Sequence, residues 1–198
     1  MRCRLSGVKH LPYLRAESEQ SEITPPTVIY IPQALKTPGR AEQVKMSSQR
    51  LLTAKTFLSY FTSLDESILE PILAENYYHE FAPVALNPPG PFGRAGFLAH
   101  TSGLKKVMSS FPIFTKEYIE SESGNQVVVW ATSQAHFREE VRDHGINKKE
   151  WEYSGEYIFM FTMDESGEKV VRCVEFLDSL GTQRLMGLMK RAKGNLQG

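Results

Sequence analysis

Residues 168–179 read Glu168-Lys-Val-Val-Arg-Cys-Val-Glu-Phe-Leu-Asp-Ser179, an extended run that carries carboxylates where a core strand is normally apolar. Period-two alternation puts Val171, Cys173, Glu175 and Leu177 on one face and Val170, Arg172, Val174, Phe176 and Asp178 on the other. Glu175 therefore stands in an otherwise apolar row. A carboxylate buried in such a row costs several kcal/mol unless it is paired, hydrogen-bonded or protonated. The strand predicts either a partner for Glu175 or a chemical role for it.

Three similar runs precede this one, at 113–121, 126–138 and 150–163, all rich in β-branched and aromatic residues. Their separators, Glu122-Ser-Gly-Asn125, Arg142-Asp-His-Gly-Ile-Asn147 and Asp164-Glu-Ser-Gly167, are turn-like. Runs joined by such turns are expected to pair antiparallel as a meander. Further upstream, Leu51, Ala54, Leu58 and Phe61 recur at helical spacing, with Ser47 or Ser48 available as cap. A short helix is predicted over 68–73. A strand follows over 76–83, with Tyr77, His79 and Phe81 on one face and Tyr78 and Glu80 on the other. The proline-rich loop 87–91 ends that strand. The next helix is predicted over 93–111, with Phe97, His100, Leu104, Val107 and Phe111 along one stripe. A last helix, 182–192, ends in Lys190-Arg191-Ala-Lys193, charges suited to a helix C-terminus.

This order predicts an α+β domain over 47–194: a curved antiparallel sheet wrapped around the long helix, with a cone-shaped pocket between them and further helices at either end. Residues 1–46 hold five prolines, a Ser/Glu run at 17–22 and one apolar patch at 28–31. They can bury little surface and are expected to be a disordered extension, with Met46 as an alternative start.

The 198 residues are 41% hydrophobic and 11% aromatic, enough to fill one core or line one cavity. Lys plus Arg (23) balance Asp plus Glu (23), so no net field recruits nucleic acid or an anionic membrane. A hydrophobic small molecule is the expected partner. Cys3 and Cys173 are the only cysteines and offer neither a disulfide framework nor a thiolate metal site. With no signal-type apolar segment at the start and no run of apolar residues long enough to span a bilayer, a soluble cytoplasmic protein is expected. No nucleotide loop, Gly-x-Ser-x-Gly elbow or Cys-His pair in motif context is visible.

Glu175 in a pocket is a candidate general acid or base; paired with Arg172 or Lys169 it is structural. His79, between Tyr77 and Phe81 on one face, suits a proton shuttle, or is a core histidine bound to a backbone carbonyl. His100 carries the same two readings. Glu156, if it faces the cavity, pairs with Glu175 as one acid and one base; otherwise it is a surface glutamate. Trp130 and His136 share a polar-aromatic row with Thr132 and Gln134, which lines either a pocket or a dimer surface. Tyr157 adds a hydroxyl on the face opposite Glu156, and Phe81 and Phe97 join Trp130 in shaping the pocket. Asp178 caps the last helix or sits at the pocket rim. The histidines 79, 100 and 136 lack metal-ligand spacing.

Five fragments in this order carry a resemblance: His79-Glu-Phe-Ala-Pro83, Phe97-Leu-Ala-His100, Val129-Trp-Ala-Thr-Ser-Gln-Ala-His-Phe137, Trp151-Glu-Tyr-Ser-Gly-Glu-Tyr157 and Gly167 through Ser179. Over residues 47–192 the chain resembles the SnoaL-like branch of the nuclear transport factor 2-like superfamily, and within it the small fungal isomerases and cyclases of meroterpenoid and other secondary-metabolite pathways. The resemblance implies a cone-like α+β barrel, often a homodimer through the outer sheet face, that uses no metal or organic cofactor. It implies function at His79, His100, Glu156, Glu175 and Asp178. The acidic residue expected at the start of the long helix is missing from Arg94-Ala95-Gly96, so the reaction of the meroterpenoid isomerases does not carry over automatically. The expected function is a cofactor-independent isomerase or cyclase, with dehydration also within reach, moving protons on a polyketide or terpenoid intermediate. The alternative is a non-catalytic ligand-binding or dimerisation module of the same fold.

Overall fold

A computed structural model describes residues 47–145 and 147–197, all within the unit Val44–Gly198. The expected extension 1–46, its boundary and Cys3 lie outside the described residues. Ser48 caps α1 (Gln49–Ser63), its hydroxyl accepting a hydrogen bond from the Leu51 N–H at 3.1 Å. The predicted helix over 68–73 is instead one 3-10 turn, Glu66–Ile68, capped by Asp65. Leu73 is already strand, paired with Val170.

The strands are β1 (Leu73–Ala82), β2 (Phe92–Gly93), β3 (Met108–Ser110), β4 (Ile113–Ser121), β5 (Gln126–Phe137), β6 (Tyr153–Met163) and β7 (Val170–Leu177). Helix α2 (Arg94–Lys105) lies between β2 and β3, and α3 (Ser179–Asn195) follows β7. Helix α2 was expected to be the long one and is the shortest of the three. It stops at Lys105 because Met108 and Ser110 are taken up by pairing with β5, and Phe111 donates its N–H to the Phe61 carbonyl of α1. Likewise β6 begins only at Tyr153, after a 3-10 turn at Lys148–Trp151.

The seven strands form one strongly curled sheet in the order β2-β1-β7-β6-β5-β3, with β4 beside β3 along the same edge of β5. Strands β4 to β7 are the predicted antiparallel meander. Strand β1 joins it by pairing parallel to β7, with His79 opposite Cys173 and Phe81 opposite Glu175. The predicted faces hold from Arg172 onward except that Val174, expected to face outward, is buried, and a register shift between Val170 and Arg172 also buries Val170 and leaves Val171 half-buried, against the expected alternation. Cys173, Glu175 and Leu177 are buried, while Arg172 and Phe176 are exposed.

Side-chain volume explains why the sheet encloses a cavity at one end. On the inner face of β6 and β5, Phe159, Phe161, Val127 and Val129 meet Phe57 and Phe61 of α1, and this end is solid. Toward the other end the inner residues of β5 become small, with Ala131 opposite Tyr157 and Ser133 opposite Gly155. A β-carbon at Gly155 would overlap the Tyr153 hydroxyl, so glycine lets that ring lie flat along the strand. Helices α2 and α3 roof this wider end. Among the described residues no helix is long and apolar enough to cross a membrane.

Candidate active site

The roofed end holds a cavity of about 450 Å³. Phe61, Phe81, Phe97, Phe111, Leu104 and Met108 line its interior, Pro88 and Pro89 of the loop after β1 contribute to its wall, and α3 supplies the rest. Glu175 is the only acidic residue in this lining among the described residues.

Behind Glu175 lies a buried polar chain. The Tyr77 hydroxyl is 2.8 Å from His79 Nδ1, and His79 Nε2 is 3.6 Å from Glu175 Oε2. His79 is fully buried and Glu175 is 6% exposed. Phe97 stacks on the imidazole at 4.2 Å and Phe81 meets its edge at 4.6 Å. Strand alternation explains the first contact, because Tyr77 and His79 are two residues apart on one face. Parallel pairing explains the second, because it sets β7's Glu175 diagonal to His79. Burial holds the Tyr77 phenol well above its ordinary pKa, so it keeps its proton. The bond to Tyr77 occupies Nδ1, and Nε2 is the ring nitrogen that faces Glu175. Nε2 has no partner within hydrogen-bonding distance.

His100 lines the cavity on α2, stacked on Phe92 at 4.9 Å. Burial, with a smaller push from the Lys193 charge, lowers its pKa from 6.5, so it is neutral at neutral pH. Because the folded value is depressed, the unfolded chain takes up this proton first as pH falls below about 6.5. Stability therefore drops on acidification. His100→Gln is expected to reduce that drop between pH 7 and 5, as measured by urea unfolding; an unchanged pH slope would count against a buried neutral imidazole.

Tyr157 also lines the cavity, and its hydroxyl is 2.6 Å from that of Tyr153. Burial raises both phenols, which stay neutral donors. Cys173 is buried and free, and burial followed by the nearby Glu175 charge pushes its thiol well up. It is a packing residue rather than a nucleophile.

The other sequence candidates lie elsewhere. Glu156 is on the outer face of β6, where it accepts hydrogen bonds from Lys116 and from Trp130 Nε1. These bonds lower its pKa. The carboxylate pair with Glu175 therefore does not form, because Tyr157, Phe159 and Phe161 occupy the inner face of that strand. Trp130 is 42% exposed and lies under Lys116, so it does not shape the cavity. His136 is exposed on the same face and bonded to the Ser110 hydroxyl. Asp178 caps α3, accepting from the Leu180 N–H at 3.1 Å; with Trp130 and Glu156 it borders a shallow outer groove. No group of three or more His, Cys, Asp or Glu among the described residues is placed to hold a metal.

Sequence reasoning left out α3 as a wall of the cavity and Tyr77 as a hydrogen-bonding partner of His79. The first was present as an i, i+3, i+4 pattern running from Thr182 to Lys193.

No protein-family model matches the chain, and no curated protein sequence matches it. Solved structures do. AusH from Aspergillus nidulans is 24% identical over 66% of this chain and 84% of its own, with a TM-score of 0.55. The BvnE pinacolase from Penicillium brevicompactum is 20% identical over 73% of this chain and 96% of its own, with a TM-score of 0.62. An NTF2-like protein from Burkholderia pseudomallei is 15% identical over 70% of this chain and 98% of its own, with a TM-score of 0.54. The chain thus has the cone-shaped α+β fold of the nuclear transport factor 2-like, SnoaL-like proteins.

Proposed function

We propose that the protein is an isomerase or cyclase that moves protons on a hydrophobic polyketide or terpenoid intermediate, with Glu175 as the proton-transfer group. The observation that carries this reading is one carboxylate, backed by the Tyr77–His79 chain, facing an otherwise largely apolar cavity. An apolar, water-poor site strengthens electrostatic contacts and holds the substrate against the reacting group. Glu175 accepts a proton from a substrate carbon next to a carbonyl, with the His79 imidazole 3.6 Å behind its carboxylate. The Tyr157 hydroxyl donates to oxygen that gains charge, and His100 is a second neutral donor or acceptor. Returning the proton at another carbon gives an isomer; forming a carbon–carbon or carbon–oxygen bond from the same intermediate gives a ring. Similarity to a pinacolase supports an isomerase or cyclase at that coarse level.

The test is conversion of the intermediate that accumulates when the gene is deleted. Full-length protein added to that extract in deuterated water, without added cofactor, is expected to give an isomer of the intermediate, or its dehydration product, that carries deuterium at the reacting carbon and is heavier by one mass unit per deuterium than the same product formed in ordinary water. An unchanged extract, or a product of altered oxidation state, overturns the reading in favour of a ligand-binding module or a different chemistry.

A further inference from the structure

Helix α3 presents Thr182, Leu185, Met186, Met189, Lys190 and Lys193 to the cavity. These positions recur at i, i+3, i+4, i+7, i+8 and i+11, so they form one continuous helical stripe. The stripe is largely apolar where the helix leaves β7 and cationic at its far end. Lys190 and Lys193 stand about 17–21 Å along the axis from Ser179. Both are exposed, so they lie at the cavity mouth, whereas Glu175 is buried.

Favourable placement at a helix C-terminus acts all around the last turn. It does not explain how the charges there are paired. Arg191, off the stripe, bonds Asp143 and Glu150 and lies over the Trp151 ring. Neither Lys190 nor Lys193 has a carboxylate within 4.0 Å among the described residues. Of the three cations Lys190, Arg191 and Lys193, the two on the cavity side are those without a carboxylate partner among the described residues.

We infer that the cavity takes an amphipathic organic acid, its carboxylate held between Lys190 and Lys193 at the mouth and its apolar body directed inward to Glu175. The inference rests on the reading of this cavity as a substrate site and adds the class and orientation of the substrate. The reverse orientation would bring a substrate carboxylate beside the Glu175 carboxylate in a buried, low-dielectric setting, where like charges repel strongly. At the mouth the anion keeps part of its hydration while meeting two ammonium groups. His100 adds no positive charge there at neutral pH, since burial keeps its imidazole neutral, so the lysines alone supply the attraction.

The probes are decanoate and decan-1-ol, which share an alkyl chain and differ in charge, titrated into the full-length protein by calorimetry. The wild type is expected to bind decanoate about tenfold more tightly than the alcohol, a preference that shrinks in high salt. In the Lys190→Met/Lys193→Met double variant, which keeps unbranched stems, that preference is lost while alcohol affinity stays. The salt dependence needs no variant and stands even where the double variant folds poorly. Equal affinities in the wild type, a preference insensitive to salt, or a folded double variant that keeps its preference overturns the acid inference and leaves the cavity reading intact. Binding of neither probe overturns both.

Discussion

Glu175→Gln is expected to lower kcat/KM by about 10²–10⁴-fold, the usual share of a positioned acid or base, while the melting temperature stays level or rises. The two halves of this expectation have the same cause. The carboxylate is 6% exposed and sits 3.6 Å from a fully buried imidazole, too far for a hydrogen bond. Its desolvation is therefore poorly compensated, and a neutral isostere relieves it. Turnover of the accumulated intermediate and scanning calorimetry read the two halves. Activity within a few-fold of wild type removes Glu175 from the mechanism. A collapse in melting temperature would instead make it a structural partner of His79.

The second large effect concerns the aromatic plate under the site. Phe97→Ala is expected to destabilise the protein by about 3–5 kcal/mol, lowering the melting temperature by roughly 10 °C for a domain of this size. Phe97 is 1% exposed and stacks on His79 at 4.2 Å, with Tyr77 at 5.4 Å and Phe57 at 5.9 Å. Truncation opens a void at the junction of α1, α2 and β1 and removes the surface that orients the imidazole. Phe97→Leu, which keeps much of the volume, should recover most of the stability and less of the activity. If the two variants lose activity only in proportion to their unfolded fraction, the ring contributes packing and no alignment.

Much of this arrangement was legible in local pattern. Alternation along 168–179 placed Glu175 with Cys173 and Leu177, and alternation along 76–83 placed His79 with Tyr77 and Phe81, because one face of each strand is buried. Pattern also groups residues without saying which group faces inward, and there Glu156 and Trp130 went to the wrong side. Tyr157, Phe159, Phe161 and Met163 form the more apolar row of β6, and that comparison settles the face. The approach of His79 to Glu175 was beyond local reading, since it depends on a parallel pairing between strands far apart in sequence. The end of α2 was equally hidden: Val107 and Phe111 continue a helical stripe, yet strand pairing with β5 claims the residues between them.

That parallel pairing also governs how the molecule comes to exist. Strand β1 is the earliest long strand and its only long neighbour, β7, is the last. The meander from β4 to β7 is built of sequence-local hairpins and can form early, but β1 closes onto it across most of the domain, a non-local step that slows folding. On the ribosome, His79 emerges long before Glu175, so in a nascent chain the buried imidazole's neighbour across the sheet is still to come. The His79–Glu175 approach and the closed sheet arrive together, once β7 has emerged.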